Sequence, residues 1–408
     1  MTPRRRPPIT DPRVRELVRA ARTPRGGHAL SRRSFLLGAV GAAGMGALLA
    51  ACGSDGEEAV GVVDRSAQDR LVRWANWPIY VDQDESGASP TISAFEDLSG
   101  IRVDYAEAIE DNESFYATVQ DRLLAGSDIG YDVVTVTDYL AARLIRLGYA
   151  QSLDRTRIPN AENLRPSLRG VDFDFGRTRS LTWQSGFAGI AWDKEAVRKG
   201  LRTVSDLWAP ELAGRVQLLS EMRDTMGLLM LEEGIDPSGD WSNDEFYQAL
   251  EVMREKVSSG HVREVSGNSY TDALVSGEAV AVFAWSGDIT ALNFEHGDRF
   301  EFAIPEAGGT LWSDNLLVPV GSTHRSNAED LFDYYYQPEV AAQVAAWVNY
   351  ITPVEGAQEA MVAIDPELAE NPMIFPDDET LKRVSVFRTL EPDEDERFSN
   401  EFFAAAGL

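Results

Sequence analysis

Aromatic rings and carboxylates gather at the ends of short apolar runs in this chain. Trp77 and Tyr80 follow Leu71–Trp74, Tyr139 follows Asp132–Val136, and Trp285 follows Val280–Ala284 with Asp288 three residues on. Trp312 and Asp314 form a Trp-x-Asp unit before Leu316–Val320, and Glu221 and Asp224 follow Val216–Leu219. Such a set can recognise an organic cation. Ring faces attract an ammonium group and cover its methylene chain, and carboxylates accept charge-assisted hydrogen bonds from it. Each Trp would equally suit a core. The acids at 221, 224 and 288 would equally suit first turns of helices, where the dipole favours negative charge.

Other chemistries lack their residues. The chain has no G-x-S-x-G elbow, no H-E-x-x-H, no phosphate-binding P-loop and no G-x-G-x-x-G after a strand. His28, His261, His296 and His324 lie far apart without metal-ligand spacing, and the last three read as solvated. No metal or cofactor is implied. Carboxylate pairs can do acid–base work, but no nucleophile accompanies them.

The elements that must position these residues alternate. Leu71–Trp74 is a short apolar strand, Pro90–Leu98 has helical spacing and stops at Gly100, and Ile101–Tyr105 alternates as a strand. Asn112 reads as the N-cap of a helix that carries Tyr116, Val119 and Leu123 on one face and ends at Gly126. Asp132–Val136 is a β-branched run of the kind buried on both faces, and Tyr139–Leu147 is helical. In the second half, Val216–Leu219, Val280–Ala284 and Leu316–Val320 read as strands, and Asn243–Val257, Thr271–Ser276 and Pro338–Trp347 as helices. Alternation of this kind predicts an α/β fold with a mostly parallel sheet covered by helices. Ligands then bind beyond the carboxyl ends of the strands, where the aromatic residues and acids lie.

The N-terminal region is a different object. Ser31-Arg32-Arg33-Ser34-Phe35-Leu36-Leu37 resembles a twin-arginine export signal, and Leu49-Ala50-Ala51-Cys52 resembles a lipobox. The apolar stretch between them is short and rich in Gly and Ala, as in a signal peptide, whereas a spanning helix needs about 20 strongly apolar residues. Residues 1–51 are expected to be removed, with Cys52 lipidated and 52–67 a flexible tether poor in apolar residues. Cys52 is the single cysteine, so no intramolecular disulfide exists. The chain has 38 basic and 66 acidic residues. Ten arginines and two acids fall in 1–51, so the remainder has 28 basic against 64 acidic residues, a net charge of −36. That excess argues against nucleic acid and anionic membrane surfaces as partners and favours cationic ligands, although acidity also serves solubility alone.

On these residues the chain resembles the polyamine-binding proteins of ABC importers, the spermidine/putrescine receptor family. The likeness runs from about Leu71 to Phe387. Asn76-Trp77-Pro78-Ile79-Tyr80 resembles the family's opening signature, and Tyr131–Tyr139 the segment that presents a hydroxyl and a tyrosine, here Thr137 and Tyr139. Val204–Asp224 ends in paired acids, Trp285–Asp288 resembles the Trp-x-x-Asp of putrescine receptors, and Gly308–Gly321 holds the central Trp-x-Asp. Asn349–Pro353 resembles the hinge-side segment with its tyrosine, here Tyr350, and Phe375–Lys382 a C-terminal landmark. Pro78 replaces a common Ser or Thr, the acid pair reads Glu then Asp, and Phe387 lies where the family has a late glutamine.

The resemblance implies a two-lobed, periplasmic-binding-protein-like α/β fold (type II) with a hinge. Lobe 1 would comprise 68–186 and 313–358, and lobe 2 would comprise 187–312 and 359–408. Trp77, Tyr80, Tyr139, Trp285, Trp312 and Tyr350 would clamp the ligand. Asp314 would hold the central amine, Glu221 and Asp224 a terminal one, with Asp288 and Thr137 adding contacts. The expected protein is not an enzyme. It is a monomeric, lipid-anchored extracytoplasmic receptor that delivers putrescine or spermidine to a membrane permease. The rivals are a receptor for another small solute or organic cation, a lipoprotein enzyme acting on a cation, and a sensor with a degenerate site.

Overall fold

The computed structural model describes residues 62–408. The twin-arginine segment, the lipobox and Cys52 lie outside the described residues. From the stretch expected as tether, Arg65 donates its N–H to the Thr323 carbonyl at 2.7 Å, and Asp64 accepts from Ser326. Residues 64 and 65 therefore dock beside residues 322–327.

The fold is α/β and two-lobed, built on one ten-stranded sheet in the order β2-β1-β3-β9-β4-β7-β5-β6, with β10 (Val384–Ser385) on β9 and β8 (Phe300–Ala303) on β4. One flank is parallel: β1 (Leu71–Asn76) lies between β2 (Arg102–Glu107) and β3 (Val133–Thr137). The other flank is parallel too, with β5 (Val216–Leu219) between β6 (Val262–Ser266) and β7 (Ala281–Trp285). The centre departs from the mostly parallel sheet that alternation predicts. There β4 (Ser180–Asp193) and β9 (Gly309–Leu317) form an antiparallel ribbon. The Leu317 end of β9 pairs with β3, and the Asp193 end of β4 pairs with β7. The ribbon thus belongs to both lobes. At its waist Ser185 and Ile351 exchange both backbone hydrogen bonds at 2.8 and 2.9 Å, which brings in a third segment.

Helix boundaries follow local chemistry, with one correction. The helix α2 (Asn112–Leu124) is capped by Asp111, whose side chain accepts from Ser114 N–H, not by Asn112. Asn112 is the first helical residue and its side chain is fully buried. Of the other helices, α1 is Pro90–Ser99, α3 Asp138–Arg146, α4 Met222–Glu232, α5 Asn243–Ser258, α6 Tyr270–Ser276 and α7 Ser286–His296. The strand expected at 316–320 begins at Gly309 and ends at Leu317. The C-terminal helix, which we call αC (Pro392–Ala406), packs on α5, with Phe398 stacked on Phe246 at 4.1 Å between ring centroids. His324 is buried, not solvated: its Nδ1 lies 3.1 Å from Asp132, and Asp69 lies 3.3 Å from its Nε2. Among the described residues no helix is long and apolar enough to cross a membrane.

Gly186, paired with Trp312 at the ribbon's waist, leaves room that aromatic rings fill. A Cβ there would meet Trp312 Cζ2 at 2.4 Å and Tyr350 Cδ1 at 2.8 Å. Gly186→Ala is therefore expected to lower the unfolding free energy by about 1–3 kcal/mol through overpacking, read from urea denaturation. A change within about 0.5 kcal/mol, as at an ordinary surface position, would show that the rings can give way there.

Candidate ligand-binding site

Four helices begin at the seam where the ribbon passes between the lobes. These are α2 after β2, α3 after β3, α4 after β5 and α7 after β7. Each strand ends in the direction of its run and the next helix starts there, so four positive helix ends converge. Asp111 caps α2, but at the other three turns the N-cap side chain reaches a neighbouring element instead of capping its own helix. Thr137 and Glu221 occupy the N-cap positions of α3 and α4, yet neither side chain caps. Thr137 donates to Asp314 Oδ1 at 2.8 Å, its antiparallel partner on β9. Glu221 reaches the other way and accepts from Asn112 Nδ2 at 3.1 Å and from the Tyr139 hydroxyl at 3.3 Å.

Asn112 ties these groups together. Its Nδ2 also donates to Thr137 Oγ1 at 2.9 Å. A chain of contacts thus runs Asp314–Thr137–Asn112–Glu221–Tyr139. The other two acids have their own shells. Asp224 accepts from Trp285 Nε1 and Thr310 Oγ1, both at 2.8 Å. Asp288 accepts from the hydroxyls of Tyr270 and Tyr350, both at 2.8 Å, and from Asn268 Nδ2 at 3.3 Å. The Tyr270 hydroxyl also takes the Trp285 N–H at 3.1 Å, linking these shells.

The rings interlock edge to face. Tyr350 lies 5.2 Å from Trp312 and 5.6 Å from Tyr80 between centroids. Tyr80 is buried, and its hydroxyl faces Asp314 without a partner at ordinary hydrogen-bond geometry. Trp77, half-buried just after β1, and Trp312 each bury an indole N–H that has no partner among the described residues. The structure places ten of the eleven expected residues in these contacts with one another or their shells. Trp77 stands apart, packed against the core. Sequence reasoning missed Asn112, Thr310, Tyr270 and Asn268. Asn112 carried a signal, a polar residue before an amphipathic helix, that reads as a cap.

Electrostatically the four acids are without an ion-pair partner. Among the described residues no Lys, Arg or His pairs with any of the four acids. Burial pushes the Asp314 carboxyl up to about 7, Thr137 and Tyr80 opposing it. Burial pushes Glu221 up to about 8, with the like charges of Asp111 and Asp224 adding to it. Asp224 rises to about 6 for the same first reason, held down by Trp285 and Thr310, and Asp288 is raised by burial against its three donors. A cation entering here would meet acceptors that are not ion-paired, with Arg223, over the Tyr139 ring, acting on Asp224 through space only. Among the described residues no cluster of His, Cys, Asp and Glu could hold a metal.

Comparison with known proteins follows the same direction. The family described as bacterial extracellular solute-binding protein matches residues 91–376. The spermidine/putrescine-binding periplasmic protein 1 of Haemophilus influenzae is 26% identical over 352 residues, covering 85% of this chain and 91% of that protein. The spermidine/putrescine-binding periplasmic protein of Escherichia coli is 27% identical over 329 residues, covering 80% and 89%. In fold, the spermidine/putrescine ABC transporter substrate-binding protein of Streptococcus pneumoniae superposes with a TM-score of 0.67 at 21% identity, covering 82% of this chain and 98% of that one.

The raised carboxyls set the sign of a pH effect. The native state holds protons that the unfolded chain has released, so raising pH lowers stability. The contribution is fully present near pH 4 and is lost as pH rises through about 6 to 8, the values of Asp224, Asp314 and Glu221. Without added ligand, the melting temperature is expected to fall over this range, and Asp314→Asn to flatten the fall. A level or rising curve at constant ionic strength would mean that these acids are already compensated.

Proposed function

The chain belongs to the bacterial extracellular solute-binding proteins, and from that premise we propose that it is a polyamine receptor of an ABC importer. The observation that carries this reading is the set of four acids, two buried and two half-buried, held by neutral donors and faced with aromatic rings, without a basic partner. Withdrawing carboxylates from water unpaired is costly. A linear polycation supplies the missing charges at intervals, and its methylene segments suit the rings between them. The names of the relatives favour the same ligand class.

In this reading Asp314 takes a central amine, with Thr137 orienting the carboxylate. Glu221, steadied by Asn112 and Tyr139, and Asp224, steadied by Trp285 and Thr310, serve one end. Asp288 serves another, between Tyr270 and Tyr350. Trp77, Tyr80, Trp285, Trp312 and Tyr350 cover the chain. Lobe 1 is 68–186 with 313–358 and lobe 2 is 187–312 with 359–408. The three crossings are the β4/β9 waist near Gly186 and Ser313 and the chain near residue 358. The lobes close on the ligand through hinge motion at these crossings, and the closed form is what a permease would receive. Cys52 would tether this receptor, a monomer, to the outer face of the membrane. That anchoring keeps it at high local concentration near its transporter.

Titration calorimetry of the full chain against putrescine, spermidine and spermine tests the ligand. Stoichiometric binding at about micromolar or tighter is expected (about −8 kcal/mol), and Asp314→Ala should weaken it by about 2–3 kcal/mol. A bound cation lowers the raised carboxyl pKa values, so binding at pH 7 should release protons. The observed heat should therefore change with the ionisation enthalpy of the buffer. Folded protein that gives no heat with any of the three would remove polyamines as the ligand.

A further inference from the structure

Asp395 sits in the first turn of αC, far from the ligand-facing acids in sequence, and is buried between two arginines from different lobes. Arg143, on α3, places Nη2 2.7 Å from Asp395 Oδ2. Arg223, on α4, places Nη2 2.8 Å from Oδ1. Both arginines are themselves largely withdrawn from water, with 14% of each side chain exposed against 8% for Asp395. Arg223 does a second thing: its guanidinium lies 3.8 Å above the centroid of the Tyr139 ring, and the Tyr139 hydroxyl donates to Glu221. A second contact joins the same segment to lobe 1, from Thr389 Oγ1 to Asp172 at 2.8 Å. The remainder of αC packs on lobe 2 through Phe398.

We propose that Asp395 is an interlobe latch, a positioning residue through which the C-terminal helix holds the two lobes together and sets how long the ligand stays. The proposal rests on the reading that the lobes close on a ligand. The geometry gives it three parts. An ion pair across the lobe boundary, largely withdrawn from water, is screened less than a surface pair and must break for the lobes to part. The carboxylate, together with Glu113 on Arg143, also offsets the repulsion between two guanidinium groups. By fixing Arg223 over Tyr139, it steadies the tyrosine that steadies Glu221. Opening would separate Arg143 from Asp395 while Arg223 and Asp395 stay together on lobe 2. The latch is thus formed in the closed state and half-formed in the open one, the differential contact that shifts a two-state equilibrium. Residues at this distance from the ligand act on its release more than on its capture, because related complexes differ mainly in dissociation rate.

The test is stopped-flow tryptophan fluorescence of the full chain with putrescine and with spermidine, run on wild type, Asp395→Ala, Asp395→Glu, Arg143→Ala and the Asp395→Ala/Arg143→Ala pair. Asp395→Ala is expected to raise the dissociation rate about tenfold, within the usual range of coupling between sites, with the association rate within about twofold. Asp395→Glu should restore most of the lifetime, and the double variant should be no worse than Asp395→Ala alone, since both remove one interaction. Should the alanine variant not fold, Asp395→Asn removes the charge at nearly constant shape and takes its place. Small-angle scattering without ligand gives an independent reading: the radius of gyration should grow in Asp395→Ala. Unchanged dissociation and scattering beside a lowered melting temperature would reduce Asp395 to a helix anchor and overturn the latch. If wild type binds neither polyamine, the ligand reading fails while scattering still decides the latch.

Discussion

Withdrawing Glu221, Asp224, Asp288 and Asp314 from water without a basic side chain to pair them is the constraint around which the seam is arranged. Ionised carboxylates removed from solvent cost several kcal/mol each unless they are hydrogen-bonded and neutralised. The protein supplies the hydrogen bonds and leaves out the neutralising charge. Every donor on these acids is an amide, hydroxyl or indole: Asn112, Thr137, Tyr139, Tyr270, Trp285, Thr310, Tyr350 and Asn268. Four helix N-termini add partial positive charge from the backbone. That arrangement keeps the acceptors oriented but still short of charge, as the proposed binding of a cation requires.

The same constraint explains why arginines nearby are engaged elsewhere. Arg223 belongs to the helix that Glu221 starts, yet it turns to Asp395 and lies over Tyr139. Arg143 is divided between Glu113 and Asp395. Arg177 is buried under the sheet and donates to Ser180, Thr182 and Asn315, while Asn315 donates to Asp138. In an acidic chain, placing the basic groups away from the site matters as much as placing the acids in it.

Mechanically the β4/β9 ribbon lets one sheet serve two lobes. Its waist is packed by rings over glycine, and it is crossed by a third segment through the Ser185–Ile351 bonds. The proposed motion between the lobes would therefore bend these strands within a few residues, while the acids and rings on either side keep most of their own hydrogen bonds. Contacts that cross the seam include the hydrogen bonds of Asn112 and Tyr139 to Glu221, of Tyr350 to Asp288 and of Thr389 to Asp172, the Arg143–Asp395 ion pair, and the ring contact of Trp312 with Tyr350.

The sequence by itself determined the parallel flanks and the places of the rings and acids at strand ends. Rings and acids at the ends of β1, β3, β5 and β7 are legible because each strand is a short apolar run and each following helix shows its period. The central ribbon was not legible. All fourteen residues of Ser180–Asp193 are buried, so inward and outward faces do not alternate, and its glycines and hydroxyls resemble a loop. Asn112 looked like a cap because the cue for capping, a short polar side chain before a helix, does not say where that side chain points. Tertiary structure decided that Thr137 meets Asp314 across 177 residues, that Asn112 meets Glu221 across 109, and that Arg143 meets Asp395 across 252. Periodicity records which face of an element is buried. Which distant carboxylate an amide or arginine will find there depends on strand register and chain crossing, and neither leaves a local trace.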